Sequence, residues 1–164
     1  MSRPARRIYV ASPLGFAEAG RHFHGERLLP LLASLGYEAL DPWALADADA
    51  LARVRAMPAG DERAAAWRRL NAAIAETNRR AIDDADAVLA VLDGSDVDSG
   101  TAAEIGYAFA RGKPIVGYRG DSRPAGDNEG AVVNLQVEHF VRASGGTIVT
   151  SLDAVGPALR RTLA

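Results

Sequence analysis

Ala87-Val88-Leu89-Ala90-Val91-Leu92 and Pro114-Ile115-Val116-Gly117-Tyr118 bracket the polar stretch Asp98-Ser99-Gly100-Thr101-Ala102-Ala103-Glu104. Both outer runs are short and apolar, the form taken by strands that are buried on two faces. Between them Ile105 to Arg111 has helical character, and Gly112 stands where a helix would stop. The order is strand, loop, helix, strand. Parallel strands need a crossover of this kind. It puts the Asp98–Glu104 loop at the carboxyl end of the first strand, where open α/β sheets place their ligands. Two carboxylates, a hydroxyl pair and a glycine suit a small polar ligand better than they suit packing.

The same alternation extends outward. Arg7-Ile8-Tyr9-Val10-Ala11 reads as a strand that ends at the turn Ser12-Pro13-Leu14-Gly15. Glu18 to Leu35 reads as a helix with Phe23, Leu28, Leu31, Leu32 and Leu35 among its apolar positions and Gly36 as its stop; Pro30 should bend or divide it. A short strand, Glu38-Ala39-Leu40, follows. From Trp43 to Ile82 the chain reads as helical, broken at Met57-Pro58-Ala59-Gly60, with Asp61 as N-cap of the second piece. The polar loop from Arg119 to Gly130 is long, as binding loops and lids are. A helix over 131–143, a strand over 147–149 and a helix over 152–163 complete the pattern. Alternating strands and helices imply one domain over residues 1–164, with a mainly parallel sheet covered on both faces.

Composition narrows the partners. The 164 residues are 48% hydrophobic and 24% charged, as in an ordinary soluble domain. A formal net charge of −2 makes no electrostatic case for nucleic acid or an anionic membrane. Arg3, Arg6 and Arg7 form too short a cluster to be a nucleic-acid arm. No apolar run approaches the roughly 20 residues of a membrane span, and no signal-peptide pattern precedes the first strand. The absence of cysteine excludes disulfides, thiolate nucleophiles and thiolate metal sites. A cytoplasmic protein is the expectation. His22, His24 and His139 lack metal-ligand spacing, and neither a Gly-x-Gly-x-x-Gly nor a Walker loop occurs, so no metal and no cofactor are expected. Arg21, Arg119 and Arg123 stand at loop positions that could meet a phosphate, although scattered surface arginines are ordinary.

Asp98 and Glu104 carry the chemical interest. Two carboxylates with different surroundings can divide labour, one ionised as nucleophile and the other binding or shuttling a proton. The plain alternative is that Asp98 caps a helix and Glu104 faces solvent.

Asp98-Ser99-Gly100-Thr101-x-x-Glu104-Ile105-Gly106-Tyr107-Ala108, followed by Gly112-Lys113-Pro114, resembles the signature of the nucleoside 2-deoxyribosyltransferases. Ile8-Tyr9-Val10-Ala11-Ser12-Pro13-Leu14-Gly15-Phe16 is similar to that family's first strand and loop, and Val133-Asn134-Leu135-Gln136 to its later asparagine motif. The three blocks stand in family order. The resemblance implies a flavodoxin-like three-layer α/β sandwich with a mainly parallel five-stranded sheet. It also implies exchange of the base of a 2'-deoxynucleoside for a free nucleobase through a covalent deoxyribosyl–enzyme ester. Glu104 would be the nucleophile, Tyr9 would orient it, and Asp98 would bind sugar hydroxyls or help protonate the departing base. Phe16 would stack on the base, and Gly100 belongs to the substrate-binding loop. Asn134 would reach the sugar 5'-hydroxyl in a neighbouring subunit's site, which makes the protein a homo-oligomer with sites completed across subunits.

One departure matters. Many relatives carry an aspartate that contacts the base ahead of the third strand, and the nearest position here is Asn78. An amide hydrogen bonds but does not donate a proton as a carboxylic acid does. Two alternatives use the same residues: an N-glycosidase in which water replaces the acceptor base, and a nucleoside-binding module without turnover. The related hydrolases tend to carry an arginine-containing phosphate loop after the first strand. Ser12-Pro13-Leu14-Gly15-Phe16 has no adjacent arginine, which favours an unphosphorylated nucleoside.

Overall fold

The computed structural model describes residues 5–164; Arg3 of the arginine cluster lies outside the described residues. Five strands, β1 (Arg7–Ala11), β2 (Glu38–Leu40), β3 (Ala87–Val91), β4 (Ile115–Tyr118) and β5 (Ile148–Val149), form one sheet in the order β2-β1-β3-β4-β5. Every pairing is parallel, with Tyr9 opposite Val88 and Ala90 opposite Gly117. After β1 the chain moves to one side of the sheet, and after β3 it moves to the other. The carboxyl ends of β1 and β3 therefore flank the switch point of a flavodoxin-like α/β fold, where the departing loops diverge and leave a crevice.

Strand alternation assigns the two layers. Tyr9, Ala11, Val88, Ala90 and Ile115 point to the side covered by α5 (Asp61–Asp84), α6 (Ser99–Ala110) and α7 (Leu135–Ala143). Ile8, Val10, Leu89, Val91 and Val116 point to the side covered by α2 (Leu29–Ser34) and α8 (Leu152–Thr162). The central strands are buried on both faces, so their sequences read as continuous apolar runs. Among the described residues no helix is long and apolar enough to cross a membrane.

Helix boundaries depart from the sequence reading in four places. The Glu18–Leu35 helix is divided, but before Pro30: α1 (Glu18–Phe23) passes through a π-helical turn (His24–Leu28) into α2, where Pro30 occupies the first turn. Proline lacks the N–H and crowds the carbonyl four residues back, and the wider turn removes both conflicts. The Trp43–Ile82 region forms three helices, α3 (Pro42–Leu45), α4 (Ala48–Ala56) and α5. Asp47 accepts a hydrogen bond from the Ala50 N–H and opens α4, while Gly60 rather than Asp61 is the N-cap of α5. Helix α6 begins at Ser99, ahead of Ile105, because Asp98 caps it. Residues 131–134 are not helical; α7 starts after Asn134, whose Oδ1 accepts from the Gln136 and Val137 N–H groups.

Arg119 is not a surface arginine. It is buried at the end of β4, and its guanidinium donates to the carbonyls of Leu92 at 2.5 Å, Gly94 at 3.1 Å and Arg123 at 2.7 Å. These bonds tie the loop leading to Asp98 to the loop after β4. Arg123 is engaged with Asp121, whose own N–H donates to Asp93. Replacing Arg119 with methionine keeps the stem and leaves the buried Leu92 carbonyl without its donor. We expect Arg119→Met to lower the unfolding free energy by about 2–4 kcal/mol, read from the urea midpoint. An unchanged midpoint would show that water replaces the guanidinium without cost.

Candidate active site

The inward face of β1 sends the fully buried Tyr9 ring under α6, where its hydroxyl donates a 2.6 Å hydrogen bond to Glu104 Oε1. Glu104 stands in the first half of α6 and is only partly exposed. Burial raises its pKa above the ordinary carboxylate value, the Tyr9 hydrogen bond opposes that rise, and the charge of Asp98 adds to it. The Tyr9 phenol is pushed far above its usual value, first by burial and then by the Glu104 charge, so it remains a donor. Asp98 uses Oδ2 to accept from the Thr101 N–H at 2.9 Å and the Thr101 hydroxyl at 3.2 Å. The helix-cap reading of Asp98 therefore holds, and the same carboxylate also lines the cavity described next. A side chain at Gly100 would start 3.1 Å from Asp98 Oδ2, so glycine keeps that approach open.

A cavity of about 590 Å³ opens above these groups. Asp98, Gly100 and Glu104 line it beside Ser12 and Phe16 from the β1 loop. Helix α5 contributes Asn71, Ile74 and Asn78, which share one face by helical spacing. Pro42, Trp43, Ala46, Leu51 and Arg55 close the remaining side. The size is that of a small-molecule site. A second cavity of about 280 Å³ adjoins it, sharing Asn78, Gly100 and Glu104 and adding Arg79, Ile82 and Tyr107.

The aromatic wall is built from the turn after β1. Phe16 is 75% exposed and meets Trp43 edge to face, with centroids 4.7 Å apart and planes at 89°. The Trp43 indole N–H donates to the Ser12 carbonyl at 3.1 Å, and its backbone N–H donates to Asp41 Oδ1 at 3.1 Å. A Cβ at Gly15 would lie 2.2 Å from the Trp43 ring, so the indole fits only over a glycine. Behind this wall the buried His24 and Asp41 approach within 3.0 Å. His139 packs on Phe109 and Phe140, away from His24. Among the described residues no three His, Asp or Glu side chains converge as a metal site would require.

Tyr9, Phe16, Asn78, Asp98, Gly100 and Glu104 are thus brought to one crevice, with Tyr9 beneath it and the others on its walls. Asn134 is not; it caps α7 and lines neither cavity. The Arg119–Gly130 loop, read as a binding loop or lid, lines neither cavity either. The sequence reading passed over Trp43, Arg55 and Asn71. Only the spacing of Asn71, Ile74 and Asn78 could have pointed to that wall. Among the described residues, none donates a hydrogen bond to the buried Asn78 Oδ1.

The sequence pattern of the nucleoside 2-deoxyribosyltransferases matches residues 8–136. A conserved protein from Enterococcus faecalis is 25% identical and superposes with a TM-score of 0.68, covering 95% of this chain and 98% of that one. A 2-deoxyribosyltransferase from Bacillus psychrosaccharolyticus shares the fold at 19% identity and a TM-score of 0.66, covering 92% of this chain and 90% of that one. An uncharacterized protein of Schizosaccharomyces pombe is 38% identical over 119 residues, 49% of this chain and 56% of that one. This chain therefore spans little more than half the length of that curated relative. The matched segment runs from β1 to the start of α7 and includes Tyr9, Asp98 and Glu104, and the chain belongs to the nucleoside 2-deoxyribosyltransferase family.

Proposed function

We propose that the protein transfers the 2-deoxyribosyl group of a 2'-deoxynucleoside between nucleobases, with Glu104 as covalent nucleophile. The observation that carries this reading is the 2.6 Å Tyr9–Glu104 hydrogen bond at a desolvated crevice whose mouth is aromatic. A buried carboxylate is costly unless it is held, and a phenol that stays protonated holds it as a donor and leaves one oxygen for attack.

In the first displacement a Glu104 oxygen bonds to the anomeric carbon as the carbon–nitrogen bond breaks, and the electron pair leaves on the base nitrogen. The incoming base reverses these events, and its lost proton balances the one that the departing base takes up. Two inversions retain configuration, as in retaining glycosidases. Asp98, one oxygen of which caps α6, offers its other oxygen to a sugar hydroxyl. Asn134, which lines neither cavity of its own chain, completes the site of a neighbouring subunit in a homo-oligomer.

Incubation with deoxyinosine or thymidine, with and without free adenine, tests the reaction by chromatography. Deoxyadenosine should appear only when adenine is present. Release of free base at the same rate without adenine would make the protein an N-glycosidase, and no product from any donor would leave a nucleoside-binding module.

Glu104→Gln should reduce exchange by more than about a thousandfold while keeping the fold. Because the folded-state value of Glu104 is raised, the unfolded chain ionises first. Its cost to stability appears as pH rises past the ordinary carboxylate value of about 4.3 and is complete above the raised value. Glu104→Gln should therefore melt above the wild type at pH 7, with the difference vanishing below that range. A lower melting temperature at pH 7 would show instead that the ionised carboxylate stabilises the fold.

Tyr9→Phe removes the one contact that lowers the Glu104 value. The acid limb of kcat/KM should move to higher pH, since attack needs the ionised form. An unmoved limb with a lower plateau would reduce Tyr9 to a packing role. For the composite site, mixing Asn134→Ala protein with Glu104→Ala protein should restore activity in mixed oligomers. No recovery after demonstrated subunit exchange would place the 5'-hydroxyl contact elsewhere.

A further inference from the structure

The cavity has polar groups at two ends with an apolar stretch between them. Its lining joins the carboxylates of Glu104 and Asp98 and the amide of Asn78 to the apolar surface of Trp43, Ala46, Leu51 and Ile74. Helix α5 rises about 1.5 Å per residue, so Asn71 stands about 10 Å beyond Asn78, roughly the length of a nucleoside. Helix α4 packs against α5 through the short Met57–Gly60 connection, so the two run antiparallel. Arg55, near the end of α4, therefore enters from the end remote from Glu104.

Arg55 is the one cation among the described residues lining this cavity, and it is exposed. It makes no ion pair among the described residues; its neighbour Arg53 takes the pairing with Asp47. A guanidinium has five N–H donors in a planar fork and no acceptor. An occupant satisfies it by presenting two acceptors side by side at its far edge. The anomeric carbon must lie at Glu104, and the sugar's hydroxyls are poorly matched to Trp43, Leu51 and Ile74, so the group crossing the apolar stretch is the base. A 6-oxopurine carries O6 and N7 as adjacent acceptors on one edge, the arrangement that arginine reads bidentately in guanine. Adenine presents an amino donor in place of O6. A pyrimidine is shorter and presents at most one acceptor there.

We propose that Arg55 is a specificity-determining residue that selects 6-oxopurine bases, hypoxanthine and guanine, by donating to O6 and N7 of the base. The proposal rests on the deoxyribosyl reading of the site and names its substrate class. Asn78, lying beside Glu104 in both cavities, meets the base near its glycosidic edge and does not discriminate at the six position.

The test titrates full-length Glu104→Gln protein, in which turnover is blocked, with deoxyinosine, deoxyguanosine and deoxyadenosine by calorimetry, with and without Arg55→Ala. The 6-oxopurine nucleosides should bind at least about tenfold tighter than deoxyadenosine. Arg55→Ala should weaken them by about 10- to 100-fold and leave deoxyadenosine within about threefold. Equal affinities for all three, or equal losses on substitution, would overturn the assignment. A response to Arg55→Ala seen only with the 5'-monophosphates would reassign the arginine to phosphate. Exchange assays in the wild-type background separate this result from the reading it rests on. Exchange without base preference removes the role of Arg55 alone, whereas selective binding without exchange removes the transferase and keeps the recognition.

Discussion

The site depends on one constraint: a carboxylate must be held where water is scarce. Glu104 gains nothing from the crevice itself, since burial raises its pKa and the neighbouring Asp98 raises it further. Only the Tyr9 hydroxyl opposes these effects. That hydroxyl can act because β1 alternates Tyr9 onto the α6 side of the sheet, with Ile8 and Val10 on the other. A one-residue slip of β1 would turn the phenol into the opposite layer and leave Glu104 unsupported. The register of the sheet is thus a chemical requirement as well as a packing one.

The loop supporting Asp98 is held in the same economical way. Arg119 collects the Leu92 and Gly94 carbonyls just after β3, so the chain enters α6 from a fixed direction. Asp98 then serves twice, capping α6 with one oxygen while lining the cavity. Reading a helix cap and a ligand group as exclusive choices is therefore misleading. A capping carboxylate has a second oxygen, and at the N-terminus of a helix it lies where ligands of α/β sheets bind.

How legible all this was in the sequence depended on the kind of signal. Strands β1, β3 and β4 were readable because double-sided burial demands unbroken apolar runs. The Asp98–Glu104 stretch stood out as the polar segment between two of them, whereas Tyr9, in the middle of β1, stood out only through the family resemblance. The region from Trp43 to Ile82 was not, because its alanines and arginines favour helix without saying where each helix faces. Its division at Ala46–Asp47 rests on a single aspartate cap. The division near Pro30 took a π-helical form that no apolar pattern encodes. Trp43 escaped notice since its place depends on Gly15, far away in sequence and meaningful only once a ring is seen lying over it.

These two classes of residue also differ in what they can tolerate. Tyr9 is fixed by the sheet and Glu104 by the helix packed on it, and a shift of one angstrom would break the 2.6 Å bond between them. Helix α5 is anchored to that frame by Ala81 and Ile82 in the core and by Asp83, which accepts from Tyr107 and Arg111, while α3 is tied to the β1 loop by the Trp43 indole bond to the Ser12 carbonyl. Side chains on their cavity face can change without disturbing the sheet. Under the proposed function, bond-breaking would fall to the rigid part and recognition of one base over another to the adjustable part. Arg55, the one cation among the described residues lining the cavity, falls on the adjustable side of that division, where a side chain can change without moving Glu104.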